Sequence, residues 1–343
     1  MSTHTTHTTH TTSPTGTRNR TMRAVIHARF DEPRQAIEFA EVAIPTPADD
    51  EVLVAVEASG VAIGDWLTIT GKPYIARPMF GIRTPRQRIA GLEGAGRVVA
   101  VGASVTRFSL GDRVFGFGKG TLAEYVALPE DDLAAVPANL TAEQAAAVPI
   151  SGLAALQAVR DAGAMKAGDK VLVVGASGAV GTFAVQIAKT FGAIVTGVAS
   201  TRNVAMVRSI GADHVIDYTK EDLTARKETF DVIVNLAGNH KVRDLRAVLA
   251  PKGTLVMVGG SGGSWTMGFG RTIAAMALNP FVGQKLTGFM AKDSREDLEV
   301  LARMLSAGEI VPVIDRTYAV DSTIEALEHV GTRHTSGKNV ITI

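Results

Sequence analysis

Residues 170–190 read KVLVVGASGAVGTFAVQIAKT, and this stretch constrains the fold more than any other. An unbroken apolar run, 171–174, meets glycines at 175, 178 and 181. A helical pattern follows in which Phe183, Ile187 and Phe191 share one face. A short run without polar alternation is the mark of a strand covered on both faces, as in a parallel sheet. The motif then repeats: AIVTGVAS, a helix through RNVAMVRSIGA, HVIDY, FDVIVNLAG and GTLVMVGG. Strands alternating with helices predict an α/β fold with a doubly wound parallel sheet.

The spacing Gly175, Gly178, Gly181 is GxxGxxG rather than the commoner GxGxxG, but the physics is unchanged. A tight turn without Cβ lets a pyrophosphate approach the backbone, and the following helix start offers free N–H groups from Ser177 to Gly181. The residue that reads the adenosine ribose stands about twenty positions further on. There the sequence has Ser200, Thr201 and Arg202, with no carboxylate in that run to repel a 2′-phosphate. Two hydroxyls and a guanidinium favour NADPH over NADH. The alternative for Arg202 is a solvated residue at a helix start.

From Met22 to about Pro149 the rhythm is different. MRAVIHARF, EVLVAVEASGVA, GRVVAVG, DRVFGFG and AEYVAL are short runs punctuated by Gly, Pro and Asp, as in a small β-barrel. A second glycine cluster lies here, at Gly91, Gly94 and Gly96. It runs into a strand-like segment, so no helix start faces an anion, and its glycines read as a tight crossing of barrel strands. TAEQAAAVPISGLAALQAVRDAG is helical, with Thr141 as N-cap. After Gly308, IVPVIDRTYAV and GKNVITI turn strand-like again. The expected organisation is a tail over 1–21, a barrel unit over 22–149 completed by 309–343, and a nucleotide unit over 150–308.

The 343 residues are 46% hydrophobic and 20% charged, which suits a well-cored soluble protein. A net charge of +1 gives no electrostatic argument for nucleic acid or an acidic membrane surface, and no apolar run is long enough to span a bilayer. There is no cysteine, which removes disulfides, thiolate-bound zinc and a cysteine nucleophile, and fits a cytoplasmic location. The N-terminal tail is rich in Thr and Ser, with His4, His7 and His10 at every third position. It lacks the apolar core of a secretion signal; its want of acids, with Arg18 and Arg20 at its end, faintly resembles an organelle transit peptide, and its plainer reading is a solvated segment. His27, His214, His240, His329 and His334 show no HxxxH or HExxH spacing. They read as core or surface residues, and no metal site is expected.

GLEGAGRVVAVG, GDRVFGFG, LAEYVALPED, AAAVPISGLAALQAV and VLVVGASGAVG, in this order, resemble the medium-chain dehydrogenase/reductase superfamily. STRN, SIGADHVIDY, PVIDRTY and the terminal GKNVITI narrow the resemblance to its zinc-independent quinone oxidoreductase-like branch. It covers nearly everything from Met22 to Ile343. It implies a GroES-like β-barrel catalytic domain, an inserted Rossmann domain, a substrate cleft between them, NADP(H) as cofactor and a homodimer. The zinc enzymes of the superfamily carry GHE where this chain has GLE, so Leu92 replaces a metal ligand. By the same resemblance, Ser177, Gly178, Ala179 and Val180 hold the pyrophosphate, and Ser200 and Arg202 the 2′-phosphate. Tyr218 lies beside the adenosine, or else packs at the sheet edge. Leu236, Ala237, Val258 and Gly259 pass the nicotinamide half. Lys338 is either a cofactor contact or a surface lysine. Ala62 stands where many relatives have Asn, and Ala154 where many have Thr. Both changes remove hydrogen-bonding groups from the cleft.

Without zinc there is no Lewis acid to polarise an isolated carbonyl, so the hydride acceptor must already be electrophilic. A quinone or an α,β-unsaturated carbonyl qualifies. Asp65, Trp66 and Tyr74 come from the segment expected at the cleft. Tyr74 is a weak candidate for proton donor or a lining residue, and Asp65 a cleft residue or a structural acceptor. Tyr125 reads as core. Trp265 and Phe269 occupy a glycine-rich stretch that reads as a substrate lid or a plain loop. Two other readings stand beside the reductase: an NADPH-binding sensor or structural protein that has lost catalysis, and an alcohol dehydrogenase.

Overall fold

The computed structural model describes residues 20–226, 228–237, 240–258 and 269–343. The chain opens with an antiparallel pair, β1 (Thr21–His27) and β2 (Ile37–Ala43). Next come β3 (Glu51–Val61), helix α1 (Ile63–Thr70), β4 (Glu93–Val101), β5 (Arg113–Phe117), β6 (Tyr125–Pro129) and β7 (Leu133–Ala135). In β3 the residues Val52, Val54 and Val56 are buried and their neighbours are not, the period-2 signature of a strand with one face on a core. Thr141 caps the next helical turn: its hydroxyl accepts from the Gln144 N–H at 3.2 Å, and its own N–H donates to Gln144 Oε1 at 3.0 Å. Helix α2 (Pro149–Gln157) leads into the second half.

That half alternates as the apolar pattern predicts. Its elements are β8 (Lys170–Val174), α3 (Ala179–Thr190), β9 (Ile194–Ala199), α4 (Val204–Ser209), β10 (His214–Asp217), β11 (Phe230–Asn235), α5 (Val242–Ala247), β12 (Leu249–Val258), α6 (Phe269–Met276), β13 (Lys285–Phe289) and α7 (Arg295–Ser306). All neighbouring strands are parallel, in the order β10-β9-β8-β11-β12-β13. This is the Rossmann order, which reverses direction between β8 and β11. Both faces of β8 are covered: Val171 and Val173 enter one core cluster, Leu172 and Val174 the other. Strand β13, KLTGF, escapes the apolar-run reading because only Leu286 in it is fully buried.

The C-terminal segment returns to the first sheet. Strand β14 (Ile314–Ala319), helix α8 (Thr323–Gly331) and β15 (Lys338–Thr342) follow α7. β15 lies antiparallel to β3, with Val340 opposite Gly60, and β14 lies parallel to β15. The second sheet thus runs β14-β15-β3-β4-β5-β7, with β6 also on β3. Among the described residues no helix is long and apolar enough to cross a membrane.

Candidate functional site

The order reversal between β8 and β11 opens a crevice at the carboxyl ends of both strands, where ligands bind in such sheets. Gly175 ends β8 at φ 87°, a conformation open to glycine at little cost. A methyl there would lie 3.3 Å from the Ala237 N atom, so the chain after β11 closes against the turn. Leu236 binds back through its N–H to the Val174 carbonyl at 3.0 Å. Gly181 sits where a side chain would overlap the Gly175 carbonyl, which lets α3 cross close to β8. Gly178 is different: a methyl on it would meet nothing nearer than the Gly175 carbonyl oxygen at 3.6 Å. It has room for a methyl at the start of α3, and Ser177, Gly178, Ala179 and Val180 are all half-buried. The first backbone bond into this helix is Thr182 N–H to the Gly178 carbonyl at 2.9 Å. The N–H groups of Ala179, Val180 and Gly181 are therefore the orphan donors of a helix start, beside a cradle that a Cβ would begin to fill. The residues present fit a pyrophosphate.

At the end of β9 the structure places Ser200, Thr201 and Arg202 together, but their partners differ. Arg202 is exposed and donates through Nη2 to the His334 carbonyl at 2.6 Å, so the loop between α8 and β15 forms a second wall here. Thr201 donates to Asp217 Oδ2 at 2.6 Å, and its oxygen stands 2.7 Å from the Thr219 hydroxyl oxygen. Asp217 also accepts from Thr219, through its N–H at 3.1 Å and its hydroxyl at 2.7 Å. These bonds, that of Thr201 first, hold its carboxyl down to about 2. The run 200–202 carries no acid, yet a carboxylate arrives from the next strand. The Thr201 hydroxyl proton is committed to that carboxylate and not offered to a ligand, which corrects the sequence reading of two free hydroxyls. Tyr218 follows Asp217, is 55% exposed, and is tied by its N–H to the Ala199 carbonyl at 3.1 Å. Its ring is open, not packed into the sheet edge.

On the barrel side, Lys338 corrects its surface reading: it is 1% exposed and pairs with Glu93, which is fully buried. Its Nζ also lies 3.3 Å from Ser151 Oγ, and the other Glu93 oxygen accepts the Ile150 N–H at 2.8 Å. One ion pair thus fastens β15, β4 and the first turn of α2. Asp65, 2% exposed, accepts the Ala62 N–H at 2.8 Å through Oδ2 and so caps α1. Its Oδ1 is buried and has no hydrogen-bond partner among the described residues. Burial, with a smaller contribution from the Glu93 charge, pushes its carboxyl up to about 7. Ala62 and Ala154 are buried, and Leu92 Cδ1 lies 3.4 Å from the position of a methyl on Gly64.

Trp66 packs its indole against Gly331 of α8, with Lys72 5.0 Å over its ring, so it braces α1 on α8. Tyr74 is 36% exposed, with the Arg77 guanidinium stacked 5.0 Å from its centre. Tyr125 is half-buried beside the small cluster of Met22, Ala24 and Ala123. Val258 ends β12, half-buried. Gly259 and Trp265 lie outside the described residues, as does the side chain of Phe269. His27 is buried, which lowers its pKa to about 4, while His214 and His334 are exposed. His329 Nδ1 bonds the Tyr318 hydroxyl at 2.8 Å. Among the described residues no group of three or more His, Cys, Asp or Glu could hold a metal ion. Sequence reasoning missed Asp217, Glu93 and Ser151. Only Glu93 left a signal, an acid enclosed by glycines in GLEGAG.

Comparison with known proteins agrees with this arrangement. Residues 48–138 match the alcohol dehydrogenase GroES-like domain, and residues 210–341 match the model described as zinc-binding dehydrogenase. The chain is 30% identical over 344 residues to the quinone oxidoreductase of Sus scrofa, covering 95% of this chain and 99% of that one. It is 29% identical over 334 residues to the chloroplast envelope quinone oxidoreductase homolog of Arabidopsis thaliana, covering 93% and 98%. The solved quinone oxidoreductase from Coxiella burnetii superposes with a TM-score of 0.83 at 26% identity, over 94% of this chain and all of that one.

Proposed function

The chain belongs to the quinone oxidoreductase-like branch of the medium-chain dehydrogenase/reductase superfamily, and on that premise we propose that it uses NADPH to reduce a quinone or an α,β-unsaturated carbonyl. The observation that carries the reading is the uncrowded Gly178 at the start of α3, at the order reversal of the parallel sheet. The amides of Ser177 to Gly181 would hold the pyrophosphate. Ser200 and the remaining N–H donors of Arg202 would take the 2′-phosphate, with Tyr218 beside the adenosine. Leu236, Ala237, Val258 and Gly259 would flank the nicotinamide half. When bound, the nicotinamide supplies a hydride. The chain's own part is to orient acceptor and cofactor and to exclude water. Leu92 stands at the family's histidine position and the sequence has no cysteine, so the zinc ligand set is missing. The acceptor must then be activated already, as a quinone or enone is. Tyr74, at the margin of the cleft, is the candidate proton donor, with water as the other source. The reading also assigns 22–149 with 309–343 to the catalytic unit, 150–308 to the nucleotide unit, and a second copy of the chain as partner.

Steady-state assays with a quinone and enone panel, NADPH beside NADH, test the proposal. Arg202→Ala is expected to weaken NADPH by about 1.5–3 kcal/mol and NADH far less, because a charge-assisted bond to the 2′-phosphate is lost. Equal losses would overturn the cofactor assignment. Tight NADPH binding with no turnover on any acceptor would overturn the enzyme reading in favour of a sensor, the alternative that Ala62 and Ala154 support.

A further inference from the structure

The whole-chain charge of +1 conceals a local imbalance. Between Asp65 and Glu93 the sequence has Lys72, Arg77, Arg83, Arg86 and Arg88, and no acid. Two of these cations are engaged. Lys72 pairs with Glu32 at 2.6 Å, and Arg77 stacks on Phe30 and Tyr74. Arg83, Arg86 and Arg88 are exposed and make no ion pair among the described residues. The same excursion exposes Ile75, Met79 and Ile82, at 64%, 68% and 70%. The Gly81 N–H bonds the Arg77 carbonyl at 2.8 Å and the Arg86 N–H bonds the Phe80 carbonyl at 2.8 Å, which ties the two ends of 77–86 together. Three aliphatic side chains two-thirds in water are costly for a free surface, and clustered ones mark a contact site.

We propose that residues 75–88 form a peripheral docking surface for an anionic lipid bilayer. Charge complementarity selects this occupant. Unpaired arginines are attracted to acidic headgroups, and the aliphatic side chains between them can enter the headgroup boundary. A second copy presenting the same cations would be repelled. The segment begins beside Tyr74, so docking sets the cleft against the phase in which a lipophilic acceptor dissolves. That last clause rests on the proposed activity, but the lipid contact does not.

Co-sedimentation of the full chain with phosphatidylcholine vesicles, with and without added phosphatidylserine, tests this. Binding is expected only with the anionic lipid and should fall as salt screens the arginines. Arg83→Gln/Arg86→Gln/Arg88→Gln is expected to lower partitioning about a hundredfold. Ile75→Ser/Met79→Ser/Ile82→Ser should lower it independently of charge. The salt titration uses wild-type protein and does not depend on how the variants fold. Absence of binding to anionic vesicles at low salt, or unchanged binding of the arginine variant, overturns the proposal. A long-chain acyl-CoA bound by wild type and lost in the arginine variant, with no vesicle binding, also overturns it and makes the patch a substrate subsite. Loss of reductase activity alone bears only on the proposed function.

Discussion

Two glycine clusters, at 91–96 and 175–181, have similar composition and different surroundings. A methyl on Gly91 would overlap Thr121, and one on Gly96 would overlap the Ala55 carbonyl. On Gly94 it would crowd the Ala58 carbonyl at 3.2 Å. All three glycines of the first cluster are therefore packed against protein. In the second cluster Gly181 is packed in the same way, but a methyl on Gly178 would meet only the Gly175 carbonyl oxygen, at 3.6 Å. A glycine whose added methyl would clash permits a crossing, and a glycine whose added methyl would fit leaves room for a ligand. Charge divides the clusters too. The first encloses Glu93 and its buried partner Lys338, while the second holds no ionisable side chain.

The sharpest break of this contrast is Lys338→Met, which strands the Glu93 carboxylate in the interior. It is expected to cost about 3–5 kcal/mol of stability in urea denaturation. A stable variant with selectively weakened NADPH binding would instead make Lys338 part of the nucleotide site. Next is Asp65, beside the same pair. Its pKa is raised to about 7, so the native state holds a proton that the unfolded chain releases near pH 4. Its contribution is fully present below the unfolded pKa and is lost as pH rises through the folded one. That is a fall of up to about 4 kcal/mol between about pH 4 and pH 7. Asp65→Asn should remove this slope and be more stable than wild type above pH 7. Denaturation midpoints that fall in parallel for both proteins would refute the assignment.

Gly96→Ala is expected to cost about 1–3 kcal/mol through overpacking, with NADPH affinity unchanged in the folded fraction. Gly178→Ala gives the smallest effect and the most informative one. At φ −78° alanine is unstrained, so melting should move by no more than about 0.5 kcal/mol. NADPH affinity by isothermal titration should fall about tenfold, ~1.4 kcal/mol. If Gly178→Ala destabilises as much as Gly96→Ala, the two clusters share one structural role and the contrast collapses.

The local features were legible in the sequence. The run 171–174, its glycines and the helix after them fold together because their bonds are near neighbours, and Thr141 caps its turn through a residue three positions away. Asp217 was not legible as a neighbour of Thr201, because the bond crosses from one parallel strand to the next. Trp66 read as a cleft residue from its place in the chain, yet it packs on Gly331, far away in sequence. Strand β13 lacked the apolar signal because its edge position leaves most of it half-covered.

The sequence by itself determined the class of the fold, the turn that suits a dinucleotide and the loss of the zinc ligands. Each follows from residue type at short range: glycine without Cβ, leucine without a lone pair, a chain without a thiol. Tertiary structure decided which glycines have room for a methyl, which acid stands beside Thr201, and that Lys338 is buried on Glu93 and not exposed. Those outcomes depend on contacts between residues up to 245 positions apart. Side-chain chemistry states what a residue can bind, and only the packing of distant strands decides what it meets.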